Sequence, residues 1–156
     1  MVVSEHELVV RHVGDDDAPW VDTGTGVDLK LVRVDLDLGT WVIRNRFRPG
    51  VQLQRHKHTG AVEGYTLTGR WNYLEYDFVS EAGSYIHEPA GSIHTLNVPD
   101  DNVEDTDVLF IIEGALLNLT PDGQVESVVD AAFMVEVYLG LCEAAGYGRP
   151  SGLIFS

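Results

Sequence analysis

Apolar residues in this chain recur at every second position, in short runs bounded by Gly, Pro, Asn or Asp, and a period of two marks strands with one face buried. From 27 to 38 they fall first at Val27, Leu29 and Leu31 and then at Val32, Val34, Leu36 and Leu38. The change of phase at Leu31 and Val32 predicts a bulge, or a strand covered on both sides. Gly39-Thr40 reads as a hairpin turn into a strand over 41–48, where Trp41, Ile43, Asn45 and Phe47 share one face and Arg44, Arg46 and Arg48 the other. The same reasoning places strands at about 51–58, 62–68, 71–79, 84–88 and 92–98. Val108-Leu109-Phe110-Ile111-Ile112 is apolar without a break, as in a strand buried on both faces, and Thr120-Pro121-Asp122-Gly123 is a hairpin signal between strands at 115–119 and 125–129. The period changes once. From Asp130 to Ala145, Phe133, Val137 and Leu141 stand at helical spacing, Ser127-Val128-Val129-Asp130 resembles a capping box, and Gly146 is placed to stop the helix. Many short strands with no helix between them argue for an all-β closed or sandwiched barrel, with one helix packed outside.

These boundaries divide one domain of 156 residues into an N-terminal arm (1–26), a barrel (27–129), a helix (130–146) and a tail (147–156); 44% hydrophobic residues suffice for a single core. The formal charge of -15, from 25 acidic against 10 basic residues, argues against nucleic acid and anionic membrane surfaces as partners. In so acidic a chain the row of Arg44, Arg46 and Arg48 is expected to pair with carboxylates across the strands, and the run Asp15-Asp16-Asp17 to be a solvated turn. A lone cysteine, Cys142, excludes an internal disulfide and is expected to be buried in the helix. No apolar run is long enough to span a membrane, and the first residues lack a basic, apolar leader, so a soluble, cytoplasmic protein is expected. The apolar Leu153-Ile154-Phe155 is expected to dock on the barrel or on a second subunit, which points to a homodimer.

Chemistry concentrates between Gly50 and His94. Residues i and i+2 of a strand leave on one face, so His56 and His58 present two imidazoles to one point while Lys57 faces away. Pro89 and Gly91 set a tight turn, and the strand after it brings in His94 from another direction. Neutral imidazole is the commonest protein ligand of zinc, iron, copper and nickel, and three of them from two strands make a site with open positions. Tyr65, Trp71 and Tyr73 are candidates for an aromatic pocket wall. His87 alternates with Glu88 and is expected to face the other side, and His6 and His12 are assigned no role.

Gly50, five residues, His56-Lys57-His58, four residues, Glu63 and then Gly69, followed later by Gly83, five residues and Pro89-Ala90-Gly91-Ser92-Ile93-His94, resemble the two motifs of the cupin superfamily. The resemblance implies a double-stranded β-helix, or jelly-roll barrel, here with one C-terminal α-helix, and a metal held by His56, His58 and His94. Two departures matter. Glu63 stands one residue closer to Gly69 than is usual, and the usual gap of six residues before Gly69 puts Val62, of the opposite parity, in the glutamate's place. Glu63 would therefore reach the metal only if Gly64 made a bulge, and it is not expected to be a ligand. Asn97 also follows His94 one place early.

A narrower resemblance runs from about Leu36 to the C-terminus. Gly39-Thr40-Trp41, Gly69-Arg70-Trp71-Asn72-Tyr73-Leu74-Glu75, Gly83-Ser84-Tyr85, Glu88-Pro89 and His94-Thr95-Leu96 look like the 2,4'-dihydroxyacetophenone dioxygenase branch of the cupins. Members of that branch hold non-haem iron through three histidines without a glutamate ligand. The resemblance implies ferrous iron, with zinc or nickel as metals found on isolation, and cleavage of a carbon-carbon bond of an aryl α-hydroxyketone by dioxygen. It makes Glu88 the carboxylate that anchors the site or moves a proton; Tyr73 is a further catalytic candidate. Three neutral imidazoles leave a divalent ion its full charge, which suits a chelating, anionic substrate. Two further readings stand beside this one. The chain is also similar to the zinc-holding cupin of an anti-sigma regulator, where metal serves a sensory or structural role, and an isomerase or lyase using the metal as a Lewis acid fits the same residues.

Overall fold

The computed structural model describes residues 9–155; His6 lies outside them. A 3-10 turn at Asp15–Asp17 precedes β1 (Val21–Asp22), β2 (Val27–Asp35), β3 (Thr40–Phe47), β4 (His56–His58), β5 (Val62–Thr68), β6 (Arg70–Tyr73) and β7 (Ser80–Glu81). There follow β8 (Tyr85–Glu88), β9 (Ile93–His94), β10 (Leu96–Asn97), β11 (Thr106–Glu113), β12 (Leu116–Leu119), β13 (Val125–Val129), α1 (Ala131–Ala144) and β14 (Ile154–Phe155). The largest sheet has the order β1-β2-β3-β11-β5-β8, with β14 joined in parallel to β2. Facing it are a four-stranded sheet, β13-β12-β4-β9, and a three-stranded one, β10-β6-β7. Trp41, Phe47, Trp71, Leu96, Val108 and Tyr138 belong to the core that these layers enclose. This is the all-β cupin architecture with one C-terminal helix.

Alternation along β3 sorts its side chains as the sequence pattern predicts, Trp41, Ile43 and Phe47 inward and the arginines outward. The predicted bulge lies at Val32, where the pairing of β2 with β3 slips between Leu31 and Arg33. On the outer face Arg46 pairs with Asp28 at 2.8 Å, Arg48 with Asp28 at 3.2 Å, and Arg44 with Asp107. Asp28 and Asp107 stand directly opposite Arg46 on β2 and β11. Trp20 lies beneath the cations of Arg46, Lys30 and Arg44, at 4.4, 5.0 and 5.1 Å from its ring centre. Asp15 is more than a solvated turn residue. Its carboxylate bridges Lys30 at 3.2 Å and Arg44 at 2.7 Å, which ties the 3-10 turn to the sheet.

Several expected elements differ in extent. Only 56–58 of the segment 51–58 is strand; Leu53 N–H donates to Leu96 C=O and Val98 N–H to Val51 C=O, after which the chain turns to pair with β12. That change of partner breaks the ladder. The strand expected over 71–79 ends at Tyr73, where the chain turns. The apolar run in β11 is central in its sheet but not covered on both faces: Val108, Phe110 and Ile112 are buried, whereas Ile111 is 40% exposed. The helix is capped by Asp130, whose carboxylate accepts from Phe133 N–H at 2.8 Å, while Ser127 stays in β13. Its core-packed face is Ala131, Tyr138 and Cys142 with Met134, Val135, Leu139 and Leu141, rotated from the expected stripe so that of Phe133, Val137 and Leu141 only Leu141 packs on the core and Phe133 is exposed. The Tyr138 hydroxyl sets that rotation by donating to Pro19 C=O at 2.6 Å. The tail docks on its own chain through β14, with Leu153 buried.

Candidate metal centre

The local reason for convergence is β-geometry. His56 and His58 alternate across Lys57 on β4, and His94 on β9 stands directly opposite His56 in the antiparallel pairing. The Pro89-to-Ser92 turn sets this register: Gly91 N–H donates to His58 C=O at 2.7 Å and His58 N–H to Ser92 C=O at 3.1 Å. Gly91 occupies φ = 87°, a left-handed conformation that favours glycine. The three imidazoles are 4, 3 and 1% exposed in chain order, with ring centres 4.7 to 5.4 Å apart. One ligand atom of each lies within 4.8 Å of the others.

Burial decides the protonation of these groups. It lowers the pKa of His56, partly offset by the Gln54 carbonyl and the charge of Glu75, and it pushes His58 and His94 down to about 3. All three rings are therefore neutral at neutral pH, with lone pairs available. The Gln54 carbonyl can only accept, so the His56 Nδ1 2.9 Å away carries the proton and Nε2 is left as its donor to a metal. His58 Nδ1 and His94 Nε2 are buried without a hydrogen-bond partner. Buried orphan nitrogens on converging, neutral imidazoles fit a divalent cation, which would satisfy what the protein leaves open.

Glu88, at the end of β8, enters this cluster from the opposite sheet. Its carboxyl is 3% exposed, with Oε1 3.2 Å from His94 Nε2 and Oε2 3.6 Å from His58 Nε2, both outside hydrogen-bond geometry. The Tyr73 hydroxyl donates to Oε1, and the Tyr73 ring stacks on His94 with centres 4.0 Å apart. One side chain thus braces both the carboxyl and an imidazole. Burial pushes the Glu88 pKa up to about 8, so without a cation beside it the group is largely protonated at neutral pH. Oε2 has no hydrogen-bond partner.

The other candidates separate by face. Glu63 sits on the outer side of β5, accepting from the Tyr85 hydroxyl and lying 3.2 Å from His87 Nδ1, while Val62 points inward opposite Glu88. The irregularity in β5 falls opposite Asp107 and Val108, away from Gly64. A Cβ on Gly64 would meet Ile86 at 2.7 Å, so glycine there serves close packing. Tyr65 is on the outer face and Trp71 is buried in the core, its indole donating to Thr66 at 2.9 Å; of the three suggested wall aromatics only Tyr73 lines the cavity. His12 is exposed.

A cavity of about 460 Å³ opens from His56, His58, Glu88 and Tyr73 into the space between the sheets. Its wall is mainly apolar, with Trp41, Phe47, Phe110 and Met134 among the residues that the sequence reading did not assign to a site. The shared face of Trp41, Ile43 and Phe47 was the available signal, but a strand pattern does not distinguish a filled core from a lined cavity.

The ChrR cupin-like domain family matches residues 9–117 of the chain. A solved structure from Ralstonia eutropha, a protein of unknown function with a cupin-like fold, is 33% identical over 97% of this chain and 94% of its own, with a TM-score of 0.87. An RmlC-like cupin from the same organism is 29% identical, covers 92% of each chain and has a TM-score of 0.86. An acetylacetone dioxygenase from Acinetobacter johnsonii is similar in fold, with 16% identity, 85% and 92% of the two chains covered and a TM-score of 0.73. No curated protein matches the chain.

Proposed function

Because this chain belongs to the ChrR cupin-like domain family, we propose that His56, His58 and His94 hold ferrous iron and that the protein is a dioxygenase cleaving an α-hydroxyketone, of which the aryl ketone 2,4'-dihydroxyacetophenone is an example. The observation that carries the reading is a cluster of three buried, neutral imidazoles with orphan nitrogens at the head of an apolar cavity. The fold likeness to an enzyme that bears the name acetylacetone dioxygenase supports it, since a 1,3-diketone and an α-hydroxyketone both chelate through two oxygens. The reaction balances as R–CO–CH₂OH plus O₂ giving R–COOH and HCOOH, with the bond between the carbonyl and carbinol carbons broken. Iron in the site would supply the Lewis acidity and the redox capacity that this exchange needs.

The protein's own groups do the rest. The cavity admits the ketone's apolar body and excludes water from its oxygens. Glu88 Oε2, buried and unpartnered, is the atom that takes the proton the substrate must lose to become a chelating anion, once a cation held by the histidines favours the ionised carboxylate. Tyr73 fixes the carboxyl by holding Oε1, leaving Oε2 to the substrate. The test is an oxygen electrode with the iron-loaded protein and a panel of hydroxyketones and diketones, with His94→Ala as the blank. Uptake of dioxygen in step with substrate loss is expected. No uptake over the whole panel, at confirmed ferrous occupancy, would leave the sensory or structural metal-holding reading.

A further inference from the structure

We infer that Asn45 recognises a polar group at the far end of an elongated, otherwise apolar substrate whose oxygen-bearing head lies at Glu88 and the histidines. The inference rests on the site reading above and narrows its substrate class. Asn45 shares the inward face of β3 with Trp41, Ile43 and Phe47, which are buried, yet it is only half-buried because it faces the open cavity. Its neighbours across the ladder are Leu29 and Val108, both buried and apolar. Among the described residues its side-chain amide has no hydrogen-bond or ionic partner. Its nitrogen and oxygen stay open to water in the cavity, so a ligand that displaces this water must offer the amide a polar group in return.

Register supplies the length. Glu88 pairs with Val62, Val62 with Ile112 and Ile112 with Trp41, which makes one row across the sheet. Asn45 stands two inward positions beyond Trp41 on β3, roughly 13 Å along the strand direction, and β3 lies three strands from β8 at about 4.8 Å each, so the two backbone positions are at most about 20 Å apart, of which the two inward side chains cover several ångströms. The volume agrees. Allowing each non-hydrogen atom roughly the 30 Å³ that one water claims in the liquid, the 460 Å³ cavity takes a ligand of about 15 such atoms. A single-ring hydroxyketone leaves about a third of that space empty and does not span to Asn45. A two-ring hydroxyketone with a distal hydroxyl, about 17 such atoms, slightly exceeds that figure, so it fills the cavity to its open mouth and has the length to reach Asn45. The cavity reaches solvent at Thr25, Gln52 and Gln54, its exposed lining residues, so such a molecule has a way in.

The experiment measures dissociation constants by calorimetry on metal-loaded protein under nitrogen. Four probes are used: 1-(biphenyl-4-yl)-2-hydroxyethanone, its 4'-hydroxy derivative, 2-hydroxyacetophenone and 2,4'-dihydroxyacetophenone. In the wild type the distal hydroxyl is expected to tighten the biphenyl ligand about tenfold or more, and both biphenyls to bind more tightly than the single-ring pair. In Asn45→Leu and Asn45→Ala, two variants so that a folding defect in one does not end the test, the hydroxyl is expected to give no advantage, while the biphenyl lacking it binds as well as before. An unchanged hydroxyl advantage in a folded variant, no such advantage in the wild type, or single-ring ligands binding as tightly as biphenyls would each overturn the inference. The binding arm is separate from turnover. Asn45-dependent binding without oxygen uptake under iron would fault the dioxygenase reading alone, and oxygen uptake with Asn45-independent binding would fault this inference alone.

Discussion

Strand β3 divides two clusters of ionisable groups that solve opposite problems. Outside, Arg44, Arg46, Arg48 and Lys30 meet Asp15, Asp28 and Asp107, and every one of those cations has a carboxylate within reach. Across the cavity, His56, His58, His94 and Glu88 are all buried, carry no full countercharge and are driven toward their neutral forms. Outside, charge is kept and paired. Inside, charge is suppressed and hydrogen-bonding capacity is left unused at His58 Nδ1, His94 Nε2 and Glu88 Oε2. A structural network closes its own valences, whereas a site built for an added ion or ligand leaves them open, at a cost the rest of the fold must offset.

Breaking the inner cluster should have the largest effect. Replacing all three histidines by alanine is expected to abolish metal binding, read by elemental analysis, while Arg44→Ala keeps full occupancy; metal retained in the triple variant would put the site elsewhere. Next, Glu88→Gln is expected to keep its metal but lower oxygen uptake by about 10²-fold or more, and Tyr73→Phe to lower it about tenfold, because the carboxyl then loses its brace. Loss of metal from Glu88→Gln would instead make Glu88 a ligand.

The pH dependence of chelator-stripped protein sharpens the comparison further. Glu88 has a raised folded pKa, so its contribution to stability is fully present below about 4.5 and is lost as pH rises toward about 8. His58 and His94 have depressed values, so theirs is present above about 6.5 and is lost as pH falls toward about 3. Denaturant midpoints measured between pH 4 and 9 should show both slopes, and Glu88→Gln should flatten the upper one. The smallest effect belongs to the outer network. Arg44→Ala should cost about 1–2 kcal/mol in urea unfolding, since the Arg44–Asp107 pair is partly exposed, with no change in metal content or oxygen uptake.

Much of this was legible before any coordinates. The period-two runs around Trp41 and Val108, the bulge at Val32, the hairpin at Thr120 to Gly123 and the outward arginines follow from alternation and turn chemistry, which are local. The inward parity of His56 and His58 follows from the same rule, and so does the outward face of Glu63. The rotation of α1 was not legible, because Phe133 and Met134 both lie on plausible apolar stripes and only the Tyr138 bond to Pro19, far away in sequence, selects between them. The unbroken apolar run in β11 misled for a related reason. Hydrophobicity records that a strand is central, not which layers cover it.

The amino-acid sequence by itself determined the all-β architecture, the turn before His94 and the presence of two histidines on one strand face, since each depends on dihedral preferences and side-chain alternation within a few residues. Only the tertiary structure decided that His94 stands opposite His56, that Glu88 comes from the facing sheet to share their burial, and that the inward face of β3 lines a cavity. Those facts depend on how strands distant in sequence pair and how closely two sheets approach. They are set by the packing of the whole core, and no local pattern encodes them.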